Sequence, residues 1–251
     1  MRYVRAHLAW IVVLAALIAA WQAWVRLRGV PQYVLPAPTD VGRTLWDERG
    51  PLASAAGVTA REMLAGFALA LGFGLAAAIA LHASPTLRWA VYPLLVASQS
   101  VPVVAIAPIL VIYLGFGLAP KLVIVALVCF FPVTVAALDG FRSVDPDHVR
   151  VMRTLRASRT AIFRRVELPW ALPSIFTGMR VAASYAAVAA LFAEYAGSGS
   201  GLGDAMREGT AQYDAPLVGA AVVVLAALAL ALFGAVTLIE RLTIPWARRV
   251  E

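Results

Sequence analysis

Few side chains in this sequence could do chemistry, and their identities say which chemistry is excluded. Lys121 is the only lysine, and it follows Pro120. A nucleotide-binding loop of the Walker type needs a lysine directly after a glycine, so that its ammonium reaches the phosphates. The chain therefore carries no such ATP site. Cys129 is the single cysteine, which excludes an intrachain disulfide and any multi-cysteine metal site. His7, His82 and His148 are the remaining groups for metal or proton chemistry, and all three fall at or beyond the ends of apolar runs. An intramembrane protease needs a base or metal ligands between such ends, and the alternating Gly/Ser run 197–201 has no histidine to activate it. The one abundant functional group is the guanidinium: 20 of the 21 basic residues are arginine.

The elements that position these groups are set by hydrophobicity. The 251 residues are 62% hydrophobic and 14% charged, with a mean hydropathy of +0.82. Soluble domains are ~45–50% apolar and ~25% charged, so this is an all-α integral membrane protein, read as one domain over 1–251. A crossing helix needs ~20 apolar residues for ~30 Å of hydrocarbon. Six runs qualify: 8–25, 63–81, 90–114, 122–138, 172–195 and 215–239. The first is too long for a signal-peptide core, and Trp21 and Trp24 sit where interfacial aromatics anchor a retained helix. Gly66, Gly72 and Gly74 in the second would let helices approach closely. Pro93, Pro102 and Pro108 interrupt the third. Segment 26–61 is expected to be a connection holding one short helix, capped by Thr39 or Asp40. Segment 196–214, with five glycines before Ala211, is expected to be a flexible loop.

Six crossings put both termini on one side. That side carries Arg2, Arg5, Arg88, Arg142, Arg150, Arg153, Arg156, Arg159, Arg164, Arg165, Arg180, Arg241, Arg248 and Arg249, fourteen positive charges against seven on the other. Excess positive charge marks the cytoplasm, so the N and C termini and the loop 142–172 are expected inside. The net charge of +7 records this asymmetry and does not point to nucleic acid. Ser98, Gln99, Ser100, Tyr113, Thr134, Ser184 and Tyr185 are the polar groups nearest a translocation path, or else interhelical contacts. Pro102, Pro108 and Pro132 free backbone carbonyls, which either line a polar path or mark kinks. Asp139, Arg180 and Glu194 fall at span ends, where pairing or snorkelling is expected. An ion-coupled secondary transporter or channel is the alternative class, but no carboxylate is expected near the midplane to serve it.

The loop is the most informative segment. Asp145-Pro146 reads as N-cap and first helical position, with Val149, Met152 and Leu155 following at helical spacing. Ser158 can cap a second short helix containing Ile162, Phe163 and Val166. Leu168-Pro169 and Leu172-Pro173 would end it. Two short amphipathic helices between two spans could lie on lipid or dock a protein.

The run Arg153-Thr154-Leu155-Arg156-Ala157-Ser158, then Phe163-Arg164-Arg165-Val166-Glu167-Leu168-Pro169, resembles the EAA loop of ABC importer permeases. Its ending matches the family's Ile-x-Leu-Pro. Its beginning departs: Arg150, Val151 and Met152 stand for Glu-Ala-Ala, and Arg156 stands for the glycine. Leu35-Pro36-Ala37-Pro38, Val101-Pro102, Ala107-Pro108, Gly115-Phe116-Gly117, Lys121, Phe130-Phe131-Pro132, Ala193-Glu194-Tyr195, Gly201-Leu202-Gly203 and Pro245-Trp246 extend the resemblance to the nitrate, sulfonate, taurine and pyrimidine-precursor branch. The resemblance implies a type I importer permease with six transmembrane helices in the bacterial inner membrane. Its partners would be ABC ATPase subunits, which bind ATP and Mg where this chain binds no cofactor, an external substrate-binding protein, and a second permease copy. It implies an ATPase-coupling loop using Arg150, Leu155, Arg156, Ala157, Ser158, Ile162, Phe163, Arg164, Val166, Leu168 and Pro169. The solute would be small and polar, such as the thiamine pyrimidine precursor, a sulfonate, taurine or nitrate. Arg156 would then hold a turn that needs a left-handed backbone, and Arg150 would face an acidic group of the ATPase or lipid phosphate.

Overall fold

A computed structural model of the chain describes residues 2–197 and 199–246. Arg248 and Arg249, and the side chains of Arg2, Arg5 and His7, lie outside the described residues. The described residues form helices and no strands. In chain order these are α1 (Arg2–Arg28), α2 (Pro38–Asp47), α3 (Arg49–Ala83), α4 (Pro85–Ser98), α5 (Val103–Leu114), α6 (Leu118–Arg142), α7 (Pro146–Thr154), α8 (Arg159–Ile162), a π-helical turn (Phe163–Glu167), α9 (Leu168–Gly197), α10 (Leu202–Ala211) and α11 (Ala215–Thr243). Five of the described helical stretches are long and apolar enough to cross a bilayer: Ile11–Arg28, α3, α6, Arg159–Gly197 and α11.

Several expectations are revised. The second span starts at Arg49, not at 63, so residues 49–61 are helix. The first turn tolerates Pro51, because no intrahelical bond is owed by its nitrogen there. The run 90–114 is two helices. Pro93 and Pro108 sit inside α4 and α5, and the break falls at 99–102, where Pro102 becomes the N-cap of α5. Leu168-Pro169 and Leu172-Pro173 end nothing: the helix runs unbroken from Arg159 to Gly197. Pro169 has no N–H for the Arg165 carbonyl and its ring would crowd it. The turn just before it is correspondingly wide, with the Leu168 N–H donating to the Phe163 carbonyl five residues back. The loop 196–214 contains α10, which buries Leu202, Gly203, Met206 and Gly209.

The chain divides into two compact units, residues 1–58 with 199–225 and residues 59–198 with 226–251. In the first, Ala37 rather than Thr39 or Asp40 is the N-cap of α2, and Pro38 takes the first helical position. The Asp40 carboxylate turns back to accept from the Ala37 N–H at 3.3 Å and from Arg26 at 2.8 Å. Helix α10 closes on Tyr213, which adopts φ +58° so that the Asp214 N–H can donate to the Gly209 carbonyl at 2.8 Å.

The second unit is organised around α6 and α9. The α9 face bearing Ala182, Ala183, Ala186, Ala187, Ala190 and Ala193 is buried. A Cβ on Gly178 would lie 2.6 Å from the Ala136 Cβ and 2.7 Å from the Pro132 carbonyl oxygen. On α3, a Cβ on Gly66 would lie 2.5 Å from the Val125 Cβ, whereas Gly72 has open space. Between apolar helices in lipid, attraction comes from such close approach and not from water exclusion. Gly178→Leu and Gly66→Leu should each lower stability by about 1–3 kcal/mol through overpacking. Gly72→Leu should leave it unchanged. The thermal midpoints of the three variants in detergent check this.

Candidate functional site

The break between α4 and α5 leaves backbone outside any regular helix. Its amides close only short turns: Gln99 N–H to the Val96 carbonyl, Ser100 to Ala97 and Val101 to Ser98, at 3.0–3.2 Å. Ser98 Oγ donates to the Leu95 carbonyl at 2.7 Å. The broken segment lines a cavity of about 540 Å³, whose other walls are α6 and α9. Its lining includes Ser98, Gln99 and Pro102 from the break, Phe131 and Pro132 from α6, and Tyr185 from α9. None of the lining side chains is charged. The nearest cation in sequence, Arg180, is held by ion pairing to Glu240 and by a 3.0 Å bond to Thr177 Oγ1.

Of the expected path residues, Ser98, Gln99, Pro102 and Tyr185 share this cavity, and Ser100, Pro108, Tyr113, Thr134 and Ser184 do not line it. Thr134 is fully buried between α6 and Gly74 of α3, its hydroxyl donating to the Phe130 carbonyl at 2.8 Å. Ser184 donates to the Arg180 carbonyl at 3.1 Å. Tyr113 is exposed on α5.

The loop folds as its caps dictate. Asp145 accepts from the Asp147 N–H and starts α7; Ser158 accepts from the Ala161 N–H and starts α8. The turn between them is left-handed at Arg156, φ +55°. There the Arg156 N–H reaches the Arg153 carbonyl at 2.9 Å and the Ala157 N–H reaches the Met152 carbonyl at 3.0 Å. That double bond pattern is the usual glycine-terminated helix end, built here around an arginine. Arg150 pairs with Asp147 of its own helix at 2.7 Å, both exposed.

The apolar residues of the loop separate into two groups. Ile162 is buried, and Phe163 and Leu168 pack on the cluster of Leu81, Leu138, Phe141, Ala171 and Ile175. Val166 and Pro169 are half-buried and Arg164 is exposed. Leu155 is 72% exposed, Val151 59% and Trp170 49%, so these three are what the loop offers to another surface.

Sequence reasoning missed the Lys121–Glu62 pair, and at Glu194 it expected pairing or snorkelling without naming a partner. Lys121 Nζ donates to Glu62 Oε1 at 2.5 Å, both almost fully buried, and Thr59 donates to the buried Glu194 carboxylate at 2.6 Å. The signal was present: a lone lysine in an apolar run owes its burial to an acid partner. At the other end, His82 Nε2 pairs with Glu167 Oε2 at 3.0 Å. Twenty residues separate Glu62 from His82 and Lys121 from Phe141, about 30 Å along each helix, the thickness of a bilayer's hydrocarbon. Phe131 on the cavity wall is midway. Among the described residues no group of three or more His, Cys, Asp or Glu is placed to hold a metal.

Residues 70–245 match the family model for the binding-protein-dependent transport system inner membrane component. The formylaminopyrimidine transport permease ThiX of Halalkalibacterium halodurans is 33% identical over 93% of this chain and 93% of its own length. The taurine transport permease TauC of Escherichia coli is 32% identical over 95% of this chain and 89% of its own. Among solved structures, an inward-facing MetNI methionine ABC transporter chain superposes with a TM-score of 0.69 at 18% identity, covering 78% of this chain and 97% of that one.

The Arg156 turn yields a direct test. A left-handed non-glycine residue costs about 1–2 kcal/mol, and glycine's looser unfolded chain returns about 0.4–1 of it. Arg156→Gly should therefore raise stability by about 0.5–1 kcal/mol, read as a higher thermal midpoint with unchanged helix content.

Proposed function

The chain belongs to the binding-protein-dependent transport system inner membrane component family, a multi-pass permease of ABC importers in the bacterial inner membrane, and from that premise we propose how it works. Two copies enclose the path, and separate ATPase subunits that bind ATP and Mg dock on the loop 142–172 at the cytoplasmic side. An external binding protein delivers the solute. The chain itself hydrolyses no ATP, since its one lysine is buried against Glu62 and follows no glycine.

The observation that carries this reading is the α4–α5 break. Irregular backbone at membrane depth is tolerated where it lines a watered cavity or is covered by protein. The break opens on a cavity of about 540 Å³ midway between the two polar clusters, which suits a path rather than a solid bundle. The exposed pair Val151 and Leu155, flanked by Arg153 and Arg156, supplies an apolar knob with charged edges, the composition of a docking surface. Ile162 and Phe163, committed to their own chain, transmit rather than dock. Leu155→Asp should cut recovery of the ATPase subunit with the tagged permease by about tenfold, the effect of losing ~1.4 kcal/mol, without altering the permease's thermal midpoint. Undiminished recovery overturns the docking assignment.

The lining also bears on the solute. Phe131 and Tyr185 offer ring faces, and the Gln99 amide offers a donor beside an acceptor, the pairing that reads a heteroaromatic edge. An anion there would meet no cation. The reading is an uncharged, pyrimidine-like solute in preference to taurine, a sulfonate or nitrate. Cells expressing the transporter should accumulate labelled formylaminopyrimidine and not labelled taurine, and the converse result reverses the assignment.

A further inference from the structure

Three residues spaced by four, Arg159, Phe163 and Glu167, form one stripe along α8 and the π-helical turn, and all three grip the same place. Arg159 Nη2 donates to the Ala83 carbonyl at 2.8 Å, one of the last carbonyls of α3, which no intrahelical amide can satisfy and which sits at the negative end of the helix dipole. Phe163 meets the ring of Phe141, at the end of α6, with centroids 5.4 Å apart. Glu167 takes His82 Nε2 at 3.0 Å. The His82 ring itself lies 5.3 Å from Phe141 and 6.4 Å from Phe163. In an ordinary α-helix residues four apart drift around the axis; the wider turn at Phe163–Glu167 offsets that drift and keeps the stripe straight. Such single wide turns are frequent at functional sites.

His82 breaks a packing rule in order to be there. Its Nδ1 is buried with no hydrogen-bond partner, a cost that an apolar residue of similar size would avoid.

We propose that His82 is a positioning residue of the transport cycle: through Glu167 it carries displacement of the 142–172 loop into α3, so that the cavity at the α4–α5 break follows the nucleotide state. This rests on the importer reading above, in which the ATPase moves the loop. Arg159 and Phe163 hold the loop against the ends of α3 and α6, and the His82–Glu167 pair makes that hold directional, because a bond between side chains resists sliding where ring contacts do not. A helix end so gripped moves with the loop instead of letting it swing.

The test needs no knowledge of the solute. Val101→Cys places a reactive thiol on the cavity wall, and Cys129 stays in place because it is buried. In the assembled complex with its ATPase subunit, ATP with vanadate should change the rate of Val101→Cys labelling by a water-soluble maleimide about threefold or more, the readout of a shift in population between two states. Adding His82→Ala should abolish that change while the ATPase subunit still co-purifies and still hydrolyses ATP. Glu167→Ala should do the same, and the double variant should be no worse than either single one. His82→Gln, which keeps a donor within reach of Glu167, should restore at least part of the response. A full labelling response in His82→Ala overturns the inference alone. Loss of assembly in both His82→Ala and His82→Gln also overturns it, since His82 would then be merely structural. A native chain that captures no ATPase overturns the importer reading, and this inference with it.

Discussion

Hydrocarbon offers the backbone no water, so every amide and carbonyl must find a partner in the protein or face a wet cavity. That constraint explains why the described residues are helices joined by short turns, why the proline-bearing stretches stay helical, and why the one break within a long apolar run matters. Pro93 and Pro108 are absorbed by their helices. Pro102 coincides with the polar run Ser98-Gln99-Ser100, whose side chains and turn-type bonds can meet what the lost helix leaves open. The cavity follows from that coincidence.

The same constraint governs the ionised groups. Buried charges are retained where they are paired, and Glu62 with Lys121 obeys this; the half-buried Arg180 and Glu240 are paired as well. Each pair joins two helices distant in sequence, so each fixes a register that small-residue packing alone leaves free to slide. Gly66, Gly74, Gly140 and Gly178 bring the backbones close; the ion pairs decide how far along they meet.

Much of this was legible in the sequence. The apolar runs, the two caps at Asp145 and Ser158, and the loop's resemblance to the EAA segment followed from residue type and spacing, and the left-handed turn at Arg156 followed from a departure at one position. What stayed hidden was long-range or cooperative. Glu62 and Lys121 are 59 residues apart, and nothing local pairs them. The continuity through Pro169 depends on a wide turn five residues long, and Pro173 is carried inside α9 itself. The stop signals there are sound as local statements, but tertiary packing of Phe163, Leu168 and Ala171 on one cluster overrode them. Likewise α10 forms in a glycine-rich stretch because Leu202 and Met206 find burial.

The placement of Lys121 has a practical consequence. Its ammonium is the sole side-chain amine of the chain, and it is closed in against Glu62 between α3 and α6. Reagents that acylate amines, and enzymes that tag lysine, therefore meet no side chain to react with while those helices stay together. Acylation at Lys121 becomes a clock for their separation: its half-time measures how often the helix pair breathes apart, a quantity that spectroscopy of helix content does not see.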